Sequence, residues 1–290
     1  MKKNILIFPV MVLLILIGVQ KLFAQCSDAG VCSISGHHSE EESTTPLTIS
    51  ASYKFGSSGK DEDVKFHSLQ LGAGYNLFNN SSVQLSLPYN IQSGPAGDVS
   101  GIGDLILSWT QKLFYDGTSS LDASVGVKLA LGDDNKDSLP QVYQSSLGTN
   151  DLLIALNYTY DKISIGAGYQ LAGGRNNNLL KLERGDDILL RGAYELSFEK
   201  FRVVPQLLFI KRLSKSSIVN FLSMAPTESY IDVEKSEQSQ LNLLTMVEYS
   251  VNENYSLFAD VAVPFLKREV NVDGLTRAFS ASVGVKLLIE

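Results

Sequence analysis

Residues 152–169, LLIALNYTYDKISIGAGY, contain two runs of alternating side chains separated only by Asp161 and Lys162. Apolar or aromatic residues occupy every second position in both runs. This period of two is typical of β-strands with one apolar face, and the two-residue link predicts a tight hairpin. If Tyr160 pairs with Ile163, each apolar side chain meets another across the hairpin. The further predicted pairs are Tyr158 with Ile165, Leu156 with Ala167, and Ile154 with Tyr169.

The same pattern recurs along the chain. Twelve alternating stretches lie between Leu47 and Ile289, and the links between them are alternately short and long. The predicted short links are 78–81, 115–118, 161–162, 198–200 and 251–254, and the predicted long links include a glycine-containing one after residue 90, then 131–149, 172–186, 213–236 and 266–277. Outer-membrane barrels have short periplasmic turns and long extracellular loops. The sequence therefore predicts an all-β fold over residues 47–290, a transmembrane antiparallel up-and-down β-barrel of about 12 strands.

Aromatic residues collect beside the short links, where amphipathic rings settle at the lipid headgroups. They are Tyr75, Phe78, Phe114, Tyr115, Tyr158, Tyr160, Tyr194, Phe198, Phe201, Tyr249 and Tyr255. The alternative is a soluble β-sandwich or lipocalin-like barrel, in which the apolar face would point inward. Such folds rarely need twelve strands and have no reason to collect aromatic residues at one end, so we favour the membrane barrel.

The first 46 residues have a different character. Residues 1–24 combine Lys2 and Lys3 with an apolar run and end at Ala24, which predicts a cleaved secretory signal peptide. Residues 25–46 are predicted to form an irregular periplasmic segment. Removal of residues 1–24 takes the formal charge from −7 to −10, because Lys21 is lost with the other two lysines. An acidic chain lacks the basic face that a nucleic-acid partner requires.

Two cysteines lie in that periplasmic segment. Cys26 and Cys32 would meet an oxidising compartment, so a disulfide between them is the first interpretation. The alternative is a metal site completed by His37 and His38, but this spacing matches no strong zinc template. Lipid attachment at Cys26 is disfavoured because Gln25 stands where a small residue is needed. The sequence implies no cofactor.

Charged residues occur at many positions predicted to face the lumen. The predicted lumen residues are Lys54, Asp104, Lys112, Asp122, Lys128, Asp151, Asp187, Arg191, Glu195, Arg202, Glu248, Asp260 and Lys286. Glu195 and Arg202 flank a short turn, so we expect them to pair across that hairpin. Two interpretations remain open, because charges in a confined lumen must be paired or hydrated. One is a lumen filled by salt-bridged side chains, and the other is an open polar conduit.

Two short motifs resemble an outer-membrane family named for the MetA pathway of phenol degradation. Gly101-Ile102-Gly103-Asp104-Leu105 opens the fourth predicted strand, and Gly126-Val127-Lys128-Leu129 is followed by Gly132-Asp133. The family shows a glycine-rich strand entry ending in Gly-Asp and a Gly-x-Lys-Leu strand leading into a Gly-Asp loop. The resemblance covers the third to sixth predicted strands. It implies an outer-membrane channel or transporter for a small, often aromatic or hydrophobic compound.

The leading hypothesis is a non-enzymatic channel in the cell outer membrane, with Asp104, Lys128 and Arg191 among the residues tuning passage of a small solute. Its expected partners are outer-membrane lipid, the solute and the barrel assembly machinery. A second hypothesis is a lipid-modifying barrel enzyme with His67 as base. A third is a structural or binding barrel with a filled lumen, whose working surface would be the loop 213–236.

Overall fold

The computed structural model describes residues 47–59, 62–78, 80–223 and 227–289. The predicted signal peptide and the segment carrying Cys26 and Cys32 lie outside these residues. The strands are β1 (Leu47–Ser57), β2 (Lys65–Phe78), β3 (Ser81–Gly94), β4 (Gly97–Ile102), β5 (Leu105–Tyr115), β6 (Ser119–Leu129), β7 (Asp151–Tyr160), β8 (Ile163–Leu171), β9 (Asp187–Tyr194), β10 (Leu196–Phe198), β11 (Phe201–Arg212), β12 (Ser217–Val219), β13 (Tyr230–Asp232), β14 (Ser239–Ser250), β15 (Tyr255–Leu266) and β16 (Phe279–Ile289).

These segments form a closed antiparallel barrel of twelve strands. β4 and β5 both pair with β3 and act as one interrupted strand, and β9 and β10 both pair with β11 in the same way. Each strand pairs with its neighbour in the chain, and β16 pairs with β1 along their whole length to close the ring. The predicted fold is confirmed. Closure matters because it leaves no barrel strand with an unpaired edge in lipid.

The hairpin around Asp161 and Lys162 has the predicted register. Tyr160 pairs with Ile163, and the three further predicted pairs all form as expected. Each of the other predicted short links also joins two consecutive barrel strands. Asp161 and Glu199 have positive φ values of 48° and 44° in these turns. Aspartate tolerates this left-handed conformation better than most side chains, which favours the turn at Asp161.

Three of the long links contain structure that the sequence did not predict. The glycine-containing link after residue 90 is mostly strand, because β3 continues to Gly94 and pairs with β4 through a turn at residues 95–96. The link from 213 to 238 contains the separate hairpin of β12 and β13. The link from 130 to 150 contains two 3₁₀ turns, Lys136–Ser138 and Gln141–Tyr143. Within the described ranges, no helix is long and apolar enough to cross a membrane.

Apolar side chains cover the outside of the barrel. Leu71 and Ile165 are 60% and 62% exposed, whereas the residues that precede them in the strands are half-buried (Gln70) and buried (Ser164). The aromatic residues beside the short turns are exposed at one end of the barrel, with Phe78 and Phe198 more than half exposed. An apolar exterior with an aromatic girdle is what a lipid-embedded barrel requires, and a soluble barrel would show the reverse.

We expect Leu71→Arg to destabilise the folded barrel in lipid vesicles by about 2–4 kcal/mol, since Leu71 lies near the middle of β2 and would place a charge at the bilayer centre. The measurement is urea unfolding followed by tryptophan fluorescence of Trp109. Gln70→Arg is the matched control, because residue 70 faces the interior. Equal losses for the two variants would contradict the assigned orientation.

Candidate functional site

A cavity of about 1210 Å³ lies inside the barrel. Its lining reaches the end with the short turns, where Leu77, Phe78, Tyr115 and Leu288 surround the opening. Polar side chains line most of its length. In the described part of the chain, every barrel strand except β7, β8 and β9 contributes lining residues, and two long links contribute the others. The cavity is therefore eccentric and opens toward the periplasmic end.

The opposite side of the interior is filled. Leu153 on β7, Leu189 on β9, and Leu208 and Ile210 on β11 form a buried apolar cluster with Ala155. Ile106 on β5 and Leu244 on β14 pack against this cluster from other parts of the wall. The inner face of these strands is thus apolar at mid-height, where the alternation predicts polar residues. Because apolar contacts cross the lumen here, the open space lies away from β7, β8 and β9.

Two long links fold into the barrel and form the top of the cavity. We call residues 141–147 and 273–277 the ceiling. Every residue from 273 to 277 is buried, and within 141–147 only Val142 is partly exposed. The two segments touch where Gly274, with a φ of 67°, approaches Val142 so closely that a Cβ would lie 2.5 Å from its Cα. Only glycine fits this contact.

The ceiling also packs on the upper wall. Tyr143 joins a buried apolar cluster with Val64, Phe66 and Val99. The guanidinium carbon of Arg277 lies 3.4 Å from the centre of the Phe66 ring, a cation–π contact. These contacts close the extracellular side of the cavity.

The first of two buried ion-pair networks lies below the ceiling. Lys128 Nζ is 2.7 Å from Asp151 Oδ2 and 3.6 Å from Asp104 Oδ2, and Arg184 Nη2 is 2.6 Å from Asp151 Oδ2. The Asp104 carboxylate also accepts a hydrogen bond from the hydroxyl of Ser146 in the ceiling. These side chains are almost fully buried, so each charge depends on its partners. The network joins strands β6 and β7 to two long links.

The second network holds the other part of the ceiling. Arg212 Nη2 lies 3.0 Å from Asp187 Oδ2 and 2.7 Å from Asp273 Oδ2, and Arg268 Nη1 lies 3.4 Å from the same Asp273 oxygen. Burial alone would raise the pKa of Asp273, but the guanidinium groups of Arg212, Arg268 and Arg184 outweigh it and hold that pKa well below its usual range. Its ion pairs are therefore present at neutral pH and persist into mild acid, because they are lost only as pH falls through the depressed pKa.

Charges nearer the opening form pairs around the wall. Arg202 lies 3.6 Å from Glu195 and also contacts Glu248, which in turn contacts Lys286. The predicted pair of Glu195 and Arg202 is present. Two more pairs of opposite charges lie on neighbouring strands. Lys112 on β5 lies directly opposite Asp122 on β6, and Lys54 and Asp260 lie on either side of Ser282.

The predicted lumen residues fall into two groups. Those that line the cavity are Lys54, Asp104, Lys112, Asp122, Lys128, Arg202, Asp260 and Lys286. Those that point inward but lie in the filled or paired regions beside it are Asp151, Asp187, Arg191, Glu195 and Glu248. Their effect on passage stays a prediction. Sequence reasoning missed Arg184, Arg268, Asp273 and Arg277, because these residues lie in long links without any alternation.

His67 lies on the outer face and not in the cavity. Its Nδ1 is 2.6 Å from the Tyr53 hydroxyl, and the two rings stack with centroids 5.9 Å apart. Phe55 and Phe279 continue this aromatic patch, with ring centroids 5.8 Å apart. Such a patch near the end of a barrel is typical of residues that anchor a protein at the membrane interface. Among the described residues, no three His, Cys, Asp or Glu side chains are grouped to hold a metal ion.

Solved structures share this architecture. The chain is similar to an outer membrane channel from Pseudomonas putida F1, with a TM-score of 0.63 and 14% identity over 88% of this chain and 100% of that one. The fold is that of an outer-membrane β-barrel. The NanC porin matches with a TM-score of 0.52 and 11% identity, over 84% of this chain and 100% of that one. The translocator domain of the autotransporter NalP from Neisseria meningitidis matches with a TM-score of 0.53 and 12% identity, over 89% and 93%.

These similarities establish the barrel fold and do not by themselves select a function, because channels and a translocator domain share the fold. No protein-family model and no curated protein sequence matches the chain. The resemblance to the phenol-degradation family therefore stays a prediction.

Proposed function

We propose that this protein is a channel of the cell outer membrane that lets a small solute cross. The observation that carries this proposal is a closed barrel with an apolar exterior around a polar cavity of about 1210 Å³. A barrel that served only as an anchor would be more stable with its interior packed, as the β7 to β11 side is packed here. The small side chains on β16, β1, β2 and β3 instead keep a space open.

In this proposal the ceiling is the gate. The cavity reaches the periplasmic opening, whereas residues 141–147 and 273–277 separate it from the extracellular side. Passage requires these segments to move, and their contacts are ion pairs and hydrogen bonds that can exchange partners with water. The charges near the gate, Asp104, Lys128 and Arg212, would then influence both its opening and the solute.

A second candidate function is a structural or binding barrel that never opens. The two buried ion-pair networks favour it, because they tie the ceiling to the wall at several points. The finer expectation of a hydrophobic or aromatic solute comes from the family resemblance alone, and the polar cavity lining does not support it. The lipid-modifying alternative receives no support from His67, whose ring contacts an interfacial aromatic patch.

Planar bilayers distinguish a channel from a closed barrel. We expect the purified full-length protein to produce discrete conductance steps, and we expect Gly74→Trp to abolish or strongly reduce them. A Cβ at Gly74 would meet its nearest neighbours at an ordinary 3.8 Å, so the indole can enter the cavity without disturbing the wall. Gly192→Trp is the matched control, because residue 192 on β9 faces outward with nothing within 4 Å. Absence of any conductance in the unmodified protein would refute the channel and leave the closed barrel.

A further inference from the structure

The part of the cavity wall formed by β16, β1, β2 and β3 carries mainly hydroxyl and amide groups, whereas Ile106, Leu244, Met246 and Phe258 add an apolar area elsewhere in the lining. On β2 and β3, no charged side chain lines the cavity in the described part of these strands. Most side chains that line it on β1, β2, β3 and β16 are hydroxyls or amides, among them Ser50, Ser52, Ser68, Gln70, Gln84 and Ser282. This part of the wall offers many closely spaced hydrogen-bond donors and acceptors. Its charged side chains are Lys54 and Lys286, and both have acidic neighbours.

The charges around the cavity balance one another. Near the opening, Arg202 and Lys286 face Glu195 and Glu248. Higher up, the networks around Asp151 and Asp273 also join carboxylates to cations within about 4 Å. These charges already have opposite partners, so they add little net field to attract an ion of either sign.

We infer that the solute is uncharged and rich in hydroxyl or amide groups, as in a polyol or a small sugar; this inference rests on the channel function proposed above. Such a solute replaces the hydrogen bonds that water makes to the wall. An apolar solute would displace that water and leave wall donors and acceptors unsatisfied, which is unfavourable in a confined space. A charged solute would lose its own hydration without gaining an unpaired counter-charge.

The size of the cavity is consistent with this class. Its volume of about 1210 Å³ slightly exceeds the roughly 300–1,000 Å³ of ordinary small-molecule pockets. A monosaccharide or disaccharide would fit together with bridging water. Larger oligomers would have to thread through the ceiling in an extended form.

Liposome swelling with the full-length protein tests the solute class directly. Glucose, gluconate and glucosamine have matched size and differ in charge, so their swelling rates isolate the effect of charge. We expect glucose to enter several-fold faster than either charged sugar, and sucrose to enter more slowly than glucose. Equal rates, or a faster rate for gluconate or glucosamine, would overturn the inference while leaving the channel intact. Failure of all solutes, together with no conductance in bilayers, would refute the channel function itself.

Removing wall hydroxyls tests whether the wall selects the solute. We expect the combined variant Ser50→Ala, Ser52→Ala and Ser68→Ala to slow glucose entry several-fold and to lower its potassium chloride conductance by clearly less. The matched control is Ser124→Ala with Ser164→Ala, two buried serines that bond Thr110 and Thr159 and do not line the cavity.

Unchanged glucose entry in the combined variant, or an equal loss in the control, would overturn the role of the wall. Thr48→Val provides a near-isosteric second variant in case the combined one does not fold. The same slowing of glucose entry, smaller in size, is expected for it.

Discussion

Asp273→Asn is expected to loosen the ceiling, raise the channel conductance several-fold and lower stability by about 3–5 kcal/mol. Asp273 lies between the guanidinium groups of Arg212 and Arg268, and its side chain is almost completely buried. The amide cannot balance two buried cations, so segment 273–277 loses its main attachment to β11. Single-channel conductance and urea unfolding in lipid vesicles measure the two effects.

Two further variants make this experiment specific. Glu234→Gln removes an ion pair with Lys215 that is exposed to solvent, where such pairs contribute about 0–1 kcal/mol, so we expect wild-type conductance. Arg268→Gln removes the weaker contact to Asp273 and a hydrogen bond to Gln240, but it leaves Arg212 paired with Asp187 and Asp273. Its effect should therefore lie between those of the other two variants. An Asp273→Asn protein with normal conductance and normal stability would show that this network does not hold the gate.

Leu153→Ala is expected to destabilise the barrel by about 2–5 kcal/mol. Leu153 is fully buried within the cluster of Leu189, Leu208 and Ile210, and truncation leaves a cavity where apolar side chains meet across the lumen. The free energy of unfolding in urea, measured in vesicles, reports this loss. The filled side of the barrel should then also become more permeable to water.

The adjacent residue provides the control. Leu152 points out of the barrel and is 38% exposed, so in Leu152→Ala lipid chains fill the space that is left and no cavity forms. We expect this variant to lose clearly less stability than Leu153→Ala. The reverse order would indicate that the apolar cluster does not stabilise the barrel and that the outer face is the packed one.

Local pattern was enough to predict the barrel. The hairpin around Asp161 and Lys162 has the pairing expected from its alternation, and the short turns join the predicted strands. These features follow from interactions between neighbours in sequence or across one hairpin. A shift of one residue would exchange the lipid-facing and interior sets, so each strand specifies its own register.

No such local pattern predicted the ceiling. Arg212 and Asp273 are 61 positions apart in the sequence, and Arg184 and Asp151 are 33 positions apart. In each of these pairs one residue, Asp273 or Arg184, lies in a link without alternation. The apolar interior of β7 and β9 was also missed, because Leu153 within the run LLIAL carries no sign of the residues it meets across the lumen.

The order of apolar and polar residues, by itself, determined the number of strands, their pairing and the face that each turns to lipid. The reason is that lipid contact is a local requirement, which every second residue of a strand must satisfy. Only the tertiary structure decided where the interior is open, because the shape of the lumen depends on which distant side chains and links meet inside it. The cavity, the filled wall and the ion pairs that close the extracellular side all result from that long-range packing.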